Sequence, residues 1–149
     1  IRDSLKLFDI VQPDAAFFGE KDYQQYLVIK KMTESLKLNT RIVCVKTVRD
    51  RNGLPLSSRN SYLSGQEFKI AIKINKLLKK LPPLIRTKLK INKILNHTKK
   101  VLLDHGVDKV DYLTVLNDDL SVRKKISDKS RIFIAAKIGN TRLIDNIKI

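Results

Sequence analysis

Cysteine, methionine and tryptophan are nearly missing from this chain of 149 residues: one, one and none. A lone Cys44 cannot form an internal disulfide, so a fold stapled by bridges is excluded, and an unpaired thiol suits a reducing cytoplasm. Its place inside the apolar run Ile42-Val43-Cys44-Val45 predicts core packing. Long hydrophobic runs are also lacking, Ile132–Ala136 being among the longest, so no segment is expected to span a bilayer. No secretory leader is read at the start, because Arg2, Asp3 and Lys6 interrupt it before an apolar stretch develops. The chain opens on Ile1 and its one methionine is Met32, so an upstream segment is expected. Histidine is limited to His97 and His105, eight apart in a predicted helix, and neither is assigned a catalytic part. Nothing repeats and nothing is of low complexity.

What is present is globular. With 42% hydrophobic and 31% charged residues, a chain of this length can bury roughly 68–70% of its unfolded surface. The net charge of +16 is unevenly spread. Residues 1–62 hold 11 cationic against 7 anionic side chains, for +4, and residues 63–149 hold 20 against 8, for +12. Lysine outnumbers arginine 22 to 9, whereas bidentate phosphate recognition favours arginine. The basic residues of 69–100 fall at helical spacing with no aromatic among them beyond Phe68 to stack on bases. A solvated basic surface is therefore preferred to polyanion binding, and neither nucleic acid nor membrane is expected as a partner.

Residues 3–11 form a short helix with Leu5, Phe8 and Ile10 inward, stopped near Pro13. Ala15–Phe18 is a buried strand broken by Gly19. A helix runs from about Tyr23 to Leu36 with Leu27, Val28, Met32 and Leu36 on one face. Ile42–Val45 is a strand buried on both faces, parallel to the first, completing a βαβ unit. Two parallel strands need further partners, so more sheet is expected from elsewhere. Asn52-Gly53 marks a turn, and Leu56–Tyr62 a polar loop. Ser64 and Glu67 form a capping box for a helix with Phe68, Ala71, Ile72, Leu78 and Leu81 on one stripe, ended by Pro82-Pro83. A second helix spans about Thr87 to His105, with Ile91, Ile94, Leu95, Val101 and Leu102 inward and Gly106 as its stop. A strand near Lys109–Leu116, a polar loop to Ser130, and a hairpin of Arg131–Ile138 and Thr141–Asn146 about Gly139-Asn140 follow. The expected fold class is α/β: a βαβ part of a Rossmann-like domain in residues 1–47, then a small α+β domain with a mainly antiparallel sheet in 48–149.

Two polar segments carry the chemistry. Gly19-Glu20-Lys21-Asp22 follows a strand and opens a helix, which turns backbone N–H groups toward an anion beside the Lys21 charge. Asp22 can cap the helix or orient a nucleotide hydroxyl; the plainer alternative is an ordinary strand-to-helix turn with Asp22 as N-cap. Gln25 lies one turn inside, facing a pocket or solvent. Ser57-Ser58-Arg59 offers two hydroxyls and a guanidinium on a loop, able to close over a triphosphate and stabilise a leaving pyrophosphate. Its plainer alternative is a solvated turn with Ser58 or Asn60 as a local cap.

The run FFGEKDYQQ at 17–25, the run V-x-T-V-R-D-x-N-G-L-P-L-S-S-R-N-x-Y-L-S at 45–64 and the closing AAKIGNTRLIDN at 135–146 together resemble the pantothenate synthetase (pantoate–β-alanine ligase) family. The resemblance runs along the whole chain. It implies a cytoplasmic, homodimeric, Mg2+- and ATP-dependent ligase of the nucleotidyltransferase superfamily that makes a coenzyme A precursor. Pantoate attacks the α-phosphate of ATP to give pantoyl adenylate, and β-alanine then displaces AMP. By motif match, Gly19, Glu20, Lys21 and Asp22 contact ATP, Gln25 binds pantoate, Val48 meets the adenine through its backbone, and Leu56, Ser57, Ser58 and Arg59 form the phosphate loop. Lys21, Ser57, Ser58 and Arg59 carry catalysis, with Lys21 and Arg59 converging on the departing pyrophosphate; no metal-ligating residue is assigned. The family's N-terminal His-x-Gly-His-type motif is absent, so about 130 residues of a parent are expected upstream, on the usual span of such a domain. The chain alone is expected to be inactive.

Overall fold

A computed structural model describes residues 2–87, 90–117, 119–121 and 126–149. The chain is α/β, with one parallel and one separate antiparallel sheet. It divides into two compact units, Ile1–Thr47 and Val48–Ile149.

The first unit holds α1 (Arg2–Val11), β1 (Ala15–Gly19), α2 (Tyr23–Ser35) and β2 (Arg41–Val45). The strands are parallel and in register from Ala15 opposite Arg41 to Gly19 opposite Val45, as a βαβ crossover requires. Burial here departs from the sequence pattern. Ile10 is 79% and Phe17 67% exposed, and Cys44 and Val45 are also exposed, so neither strand is buried on both faces and Cys44 is not core. Two strands and one crossover helix have too little surface to cover both sheet faces. On α2 the fully buried positions are Ile29 and Thr33, while Leu27, Val28 and Met32 are half-buried; Leu36, just past the end of the helix, is exposed. The inward stripe is thus rotated from the expected one.

The second unit contains α3 (Gly65–Arg86), α4 (Ile91–Asp104), β3 (Lys109–Asn117), β4 (Ser130–Ile138) and β5 (Thr141–Lys148). Ser64 caps α3 as expected: its hydroxyl accepts from Glu67 N–H at 3.3 Å, and the Glu67 carboxylate accepts from Ser64 N–H at 2.7 Å. The helix does not stop at Pro82-Pro83 but continues to Arg86. Pro83 is exposed and Pro82 half-buried, while Leu78, Leu81 and Ile85 sit in the core and hold the next turn in place despite two missing N–H donors. The buried stripe is Ala71, Ile74, Asn75, Leu78, Leu81 and Ile85; Ile72 lies at its half-buried edge. α4 begins at Ile91, later than Thr87, and residues 88 and 89 of the expected helix lie outside the described residues, as do 118 and 122–125 of the expected polar loop. Gly106, at φ +96°, ends α4 in the left-handed region that glycine tolerates.

The sheet order is β3-β4-β5, antiparallel throughout, with Gly139-Asn140 turning β4 into β5. Ile132, Ile134, Ala136 and Ile138 of β4 face the helices with Leu113 and Val115 of β3, and all six are buried in one cluster with the α3 and α4 stripes. The same row on β5 is Thr141, Leu143, Asp145 and Ile147, set opposite Ile138, Ala136, Ile134 and Ile132. One member of that apolar row is a carboxylate.

Candidate functional site

In the first unit, Gly19 ends β1 in an extended conformation, and Glu20–Asp22 form one 3-10 turn before α2. A long contact ties the turn to the segment just after β2, where Thr47 N–H donates to Glu20 Oε2 at 3.5 Å. Lys21 is half-buried. Asp22 stands at the N-cap of α2, but its side chain makes no capping bond and is exposed. The expected capping by Asp22 is therefore not what starts the helix, which continues directly from the 3-10 turn. Gln25 is exposed on the first turn of α2. A lysine, an exposed carboxylate and an amide thus stand within two turns at the carboxyl end of β1.

The second unit contributes a tight hairpin-like segment and the polar turn that follows it. Leu56 N–H donates to Val48 C=O at 2.9 Å, Asp50 N–H to Leu54 C=O at 2.9 Å, and Arg49 bridges Pro55 in antiparallel fashion. Asp50 Oδ1 accepts from the N–H groups of Asn52 and Leu54 at 2.8 and 2.9 Å, a side chain closing its own turn. Gly53, at φ +87°, completes it, and a Cβ there would stand 2.5 Å from Asn75 Oδ1. Val48 C=O keeps a second lone pair beyond the Leu56 bond.

Ser57 precedes a 3-10 turn over Ser58–Tyr62, and its hydroxyl accepts from Arg59 N–H at 3.3 Å. The local cap is therefore Ser57, not Ser58 or Asn60. Asn60 instead reaches back, Nδ2 donating to Pro55 C=O at 2.9 Å, while Ser58 C=O accepts from the Ser61 hydroxyl at 2.7 Å. Leu56, Ser58 and Arg59 are exposed and Ser57 half-buried. This presents two hydroxyls and one guanidinium on a turn whose backbone is already bonded internally.

The residues that hold this segment were not among those singled out in the sequence. Arg49 Nη1 and Nη2 meet Asp145 Oδ2 and Oδ1, both at 2.8 Å, and the same guanidinium donates to Gly53 C=O at 3.1 Å and Asn146 C=O at 3.3 Å. Asn75 Nδ2 adds a bond to Asp145 Oδ2 at 3.3 Å, and Asn146 N–H one to Asp145 Oδ1 at 2.7 Å. Arg131 Nη1 donates in turn to Asn146 Oδ1. The available signal was Asp145 itself, a carboxylate at a core-facing position of a strand pattern, which demands a cation.

Elsewhere the charges are superficial. Asp111 is bonded by Arg142 Nε at 2.8 Å and by Lys109 Nζ at 3.2 Å, which hold its carboxyl below the ordinary aspartate range, while Asp111 raises Arg142 further. Lys69, Lys73, Lys76, Lys79 and Lys80 all lie on the exposed side of α3, away from its core stripe. Among the described residues, no group of three or more His, Cys, Asp or Glu could hold a metal, and no helix is long and apolar enough to cross a membrane.

A parallel βαβ unit followed by an antiparallel sheet packed under two helices, each part bearing one cationic polar segment, defines an α/β protein. The family model for pantoate-beta-alanine ligase matches residues 4–148, and the chain belongs to that family. The pantothenate synthetase of Shewanella oneidensis is 41% identical over 144 residues, covering 96% of this chain and 51% of that protein. That of Buchnera aphidicola is 42% identical over 151 residues, 97% of this chain and 51% of the relative. Among solved structures, the Thermus thermophilus pantothenate synthetase superposes with a TM-score of 0.87 at 33% identity, covering 97% of this chain and 53% of that one. The Francisella tularensis pantoate-beta-alanine ligase, complexed with beta-gamma ATP and beta-alanine, gives 0.75 at 34% identity, over 97% and 47%. The chain spans about half the length of these relatives, and the match falls on their C-terminal half.

Proposed function

We propose that this chain supplies the ATP-phosphate grip and a pantoate contact of a ligase that joins pantoate to β-alanine through pantoyl adenylate. Residues 1–47 act as the C-terminal part of a Rossmann-like ATP- and pantoate-binding domain, and residues 48–149 as the smaller lid domain. The observation that carries the reading is the family match over 4–148, which takes in Gly19–Asp22 and Leu56–Arg59 together. The Francisella relative, complexed with beta-gamma ATP and beta-alanine, supports the choice of ligands.

In the first step a pantoate carboxylate oxygen attacks the α-phosphorus of ATP, and the α–β bridging bond breaks with its electron pair leaving on pyrophosphate. Lys21 and Arg59 place positive charge on those phosphates, and Ser57 and Ser58 donate hydroxyl hydrogen bonds to them. Gly19 permits close backbone approach, Glu20 and Asp22 contact the nucleotide, and the backbones of Val48 and Leu56 flank the adenine and phosphates. Gln25 holds pantoate, so that remote binding energy orients the attack. In the second step the amine of β-alanine attacks the acyl carbon, the bond to AMP breaks, and the amine proton is lost. Mg2+ would supply further positive charge on the ATP phosphates, the usual mode for this ion. The working protein is a cytoplasmic homodimer.

The purified 149-residue chain, given ATP, pantoate and β-alanine, releases no AMP on this reading, because the part matching the relatives' N-terminal half is needed for the rest of the ligand shell. Robust β-alanine-dependent AMP release by this chain alone would overturn that requirement. In a protein carrying this chain together with such an N-terminal half, the same assay must show AMP and pantothenate formed in equal amounts.

A further inference from the structure

Asp145 is the one charged side chain in the helix-facing row of β5, its side chain only 5% exposed, and it needs a cation brought to it. That cation, Arg49, comes from the hairpin-like segment immediately before Leu56–Arg59. Arg49 also grips the C=O of Gly53 at the hairpin tip and the C=O of Asn146 on the strand. Asn75 of α3, 2% exposed, donates through Nδ2 to Asp145 Oδ2, the same oxygen that Arg49 Nη1 holds. The polar turn then hangs from this anchor by short links: Leu56 N–H on Val48 C=O, next to Arg49, and Asn60 Nδ2 on Pro55 C=O, opposite Arg49 in the bridge.

We infer that Arg49 and Asp145, backed by Asn75, are positioning residues that hold the Leu56–Arg59 segment in the shape its anionic ligand needs. The inference rests on the proposed ATP role of that segment, and it extends that role to residues that need not touch ATP themselves. The guanidinium is required because it makes two parallel bonds to one carboxylate while reaching two carbonyls, which a single ammonium cannot do. The buried carboxylate is required because it fixes the guanidinium to a sheet position, so that hairpin, turn and strand move as one piece.

The test is backbone amide exchange of the 149-residue chain, with and without ATP, in wild type, Arg49→Lys and Asp145→Asn. The double variant Arg49→Met/Asp145→Leu is added because it restores an apolar, well-packed site if either single change unfolds the unit. The inference predicts that residues 54–60 exchange at least about tenfold faster in all three variants, that β4 amides keep their protection in the double variant, and that the ATP-induced slowing of 56–60 seen in wild type disappears. Because the pair acts as a unit, the double variant should show no more than the larger single effect in this segment. Wild-type exchange at 54–60 in the double variant, or undiminished ATP protection there, overturns it. A wild-type chain in which ATP slows nothing at 56–60 counts against the proposed function instead, and the positioning role is then decided by the ATP-free rates alone.

Discussion

Arg49 and Asp145, 96 residues apart, form a two-point ion pair with both N···O distances at 2.8 Å. The pair joins a loop to the core face of the closing strand. Its two ends differ in environment: the Asp145 side chain is almost wholly buried, whereas the Arg49 side chain is 22% exposed. The consequences of removing either partner are therefore unequal.

Arg49→Met leaves a carboxylate buried with only amide donors, and is expected to cost about 3 kcal/mol in urea unfolding of the second unit. The double variant Arg49→Met/Asp145→Leu should lose clearly less than the two single losses added together, because no charge remains to be desolvated. A loss below about 0.5 kcal/mol for Arg49→Met, in the range of ordinary surface changes, would show that the pair does not hold the loop.

Gly53 tests the same loop from its tip. Its φ of +87° disfavours any side chain, and a methyl group would meet Asn75 Oδ1 at 2.5 Å. Gly53→Ala should destabilise the unit by more than about 1 kcal/mol and disturb the Asn75 amide resonances, while an alanine at Gly65, where a Cβ has open space, should not. Equal effects at the two positions would contradict this.

Much of the architecture was legible in the residues. The parallel βαβ unit followed from the apolar runs at 15–18 and 42–45 with a helix between them, the capping box from Ser64 and Glu67, and the last hairpin from Gly139-Asn140. These are local signals, each decided within a few residues. Burial was less legible in the first unit. Ile10, Phe17 and Cys44 are apolar positions whose covering surface is not supplied by the one helix between the strands. Pro82-Pro83 misled because core contacts at Leu78, Leu81 and Ile85 outweigh two lost hydrogen bonds. In the site, the types and order of Gly19–Asp22 and Leu56–Arg59 could be read directly. The anchor could not, since nothing local links Arg49 to Asp145.

Asp111 provides a pH-dependent check on the outer surface. Bonds from Arg142 first and Lys109 second lower its carboxyl pKa. A depressed folded-state value means that its contribution is fully present above the unfolded aspartate pKa of about 3.9 and is lost as pH falls through the lower folded value. By NMR the Asp111 carboxyl carbon should titrate below the unfolded aspartate value, and Arg142→Ala should move it back up. Because the cluster is exposed and solvent-screened, Asp111→Asn should leave the unfolding midpoint at pH 7 nearly unchanged. Titration of Asp111 at or above the unfolded aspartate value would refute the arrangement.

In the proposed function, Lys21 and Arg59 each act on ATP phosphates. This is met most directly by pantoate-dependent pyrophosphate release in a protein that joins this chain to the N-terminal half its relatives possess. Lys21→Ala and Arg59→Ala should each slow release at least about a hundredfold, by analogy with loss of one transition-state donor, with unfolding midpoints unchanged. Wild-type release from both variants would contradict the account.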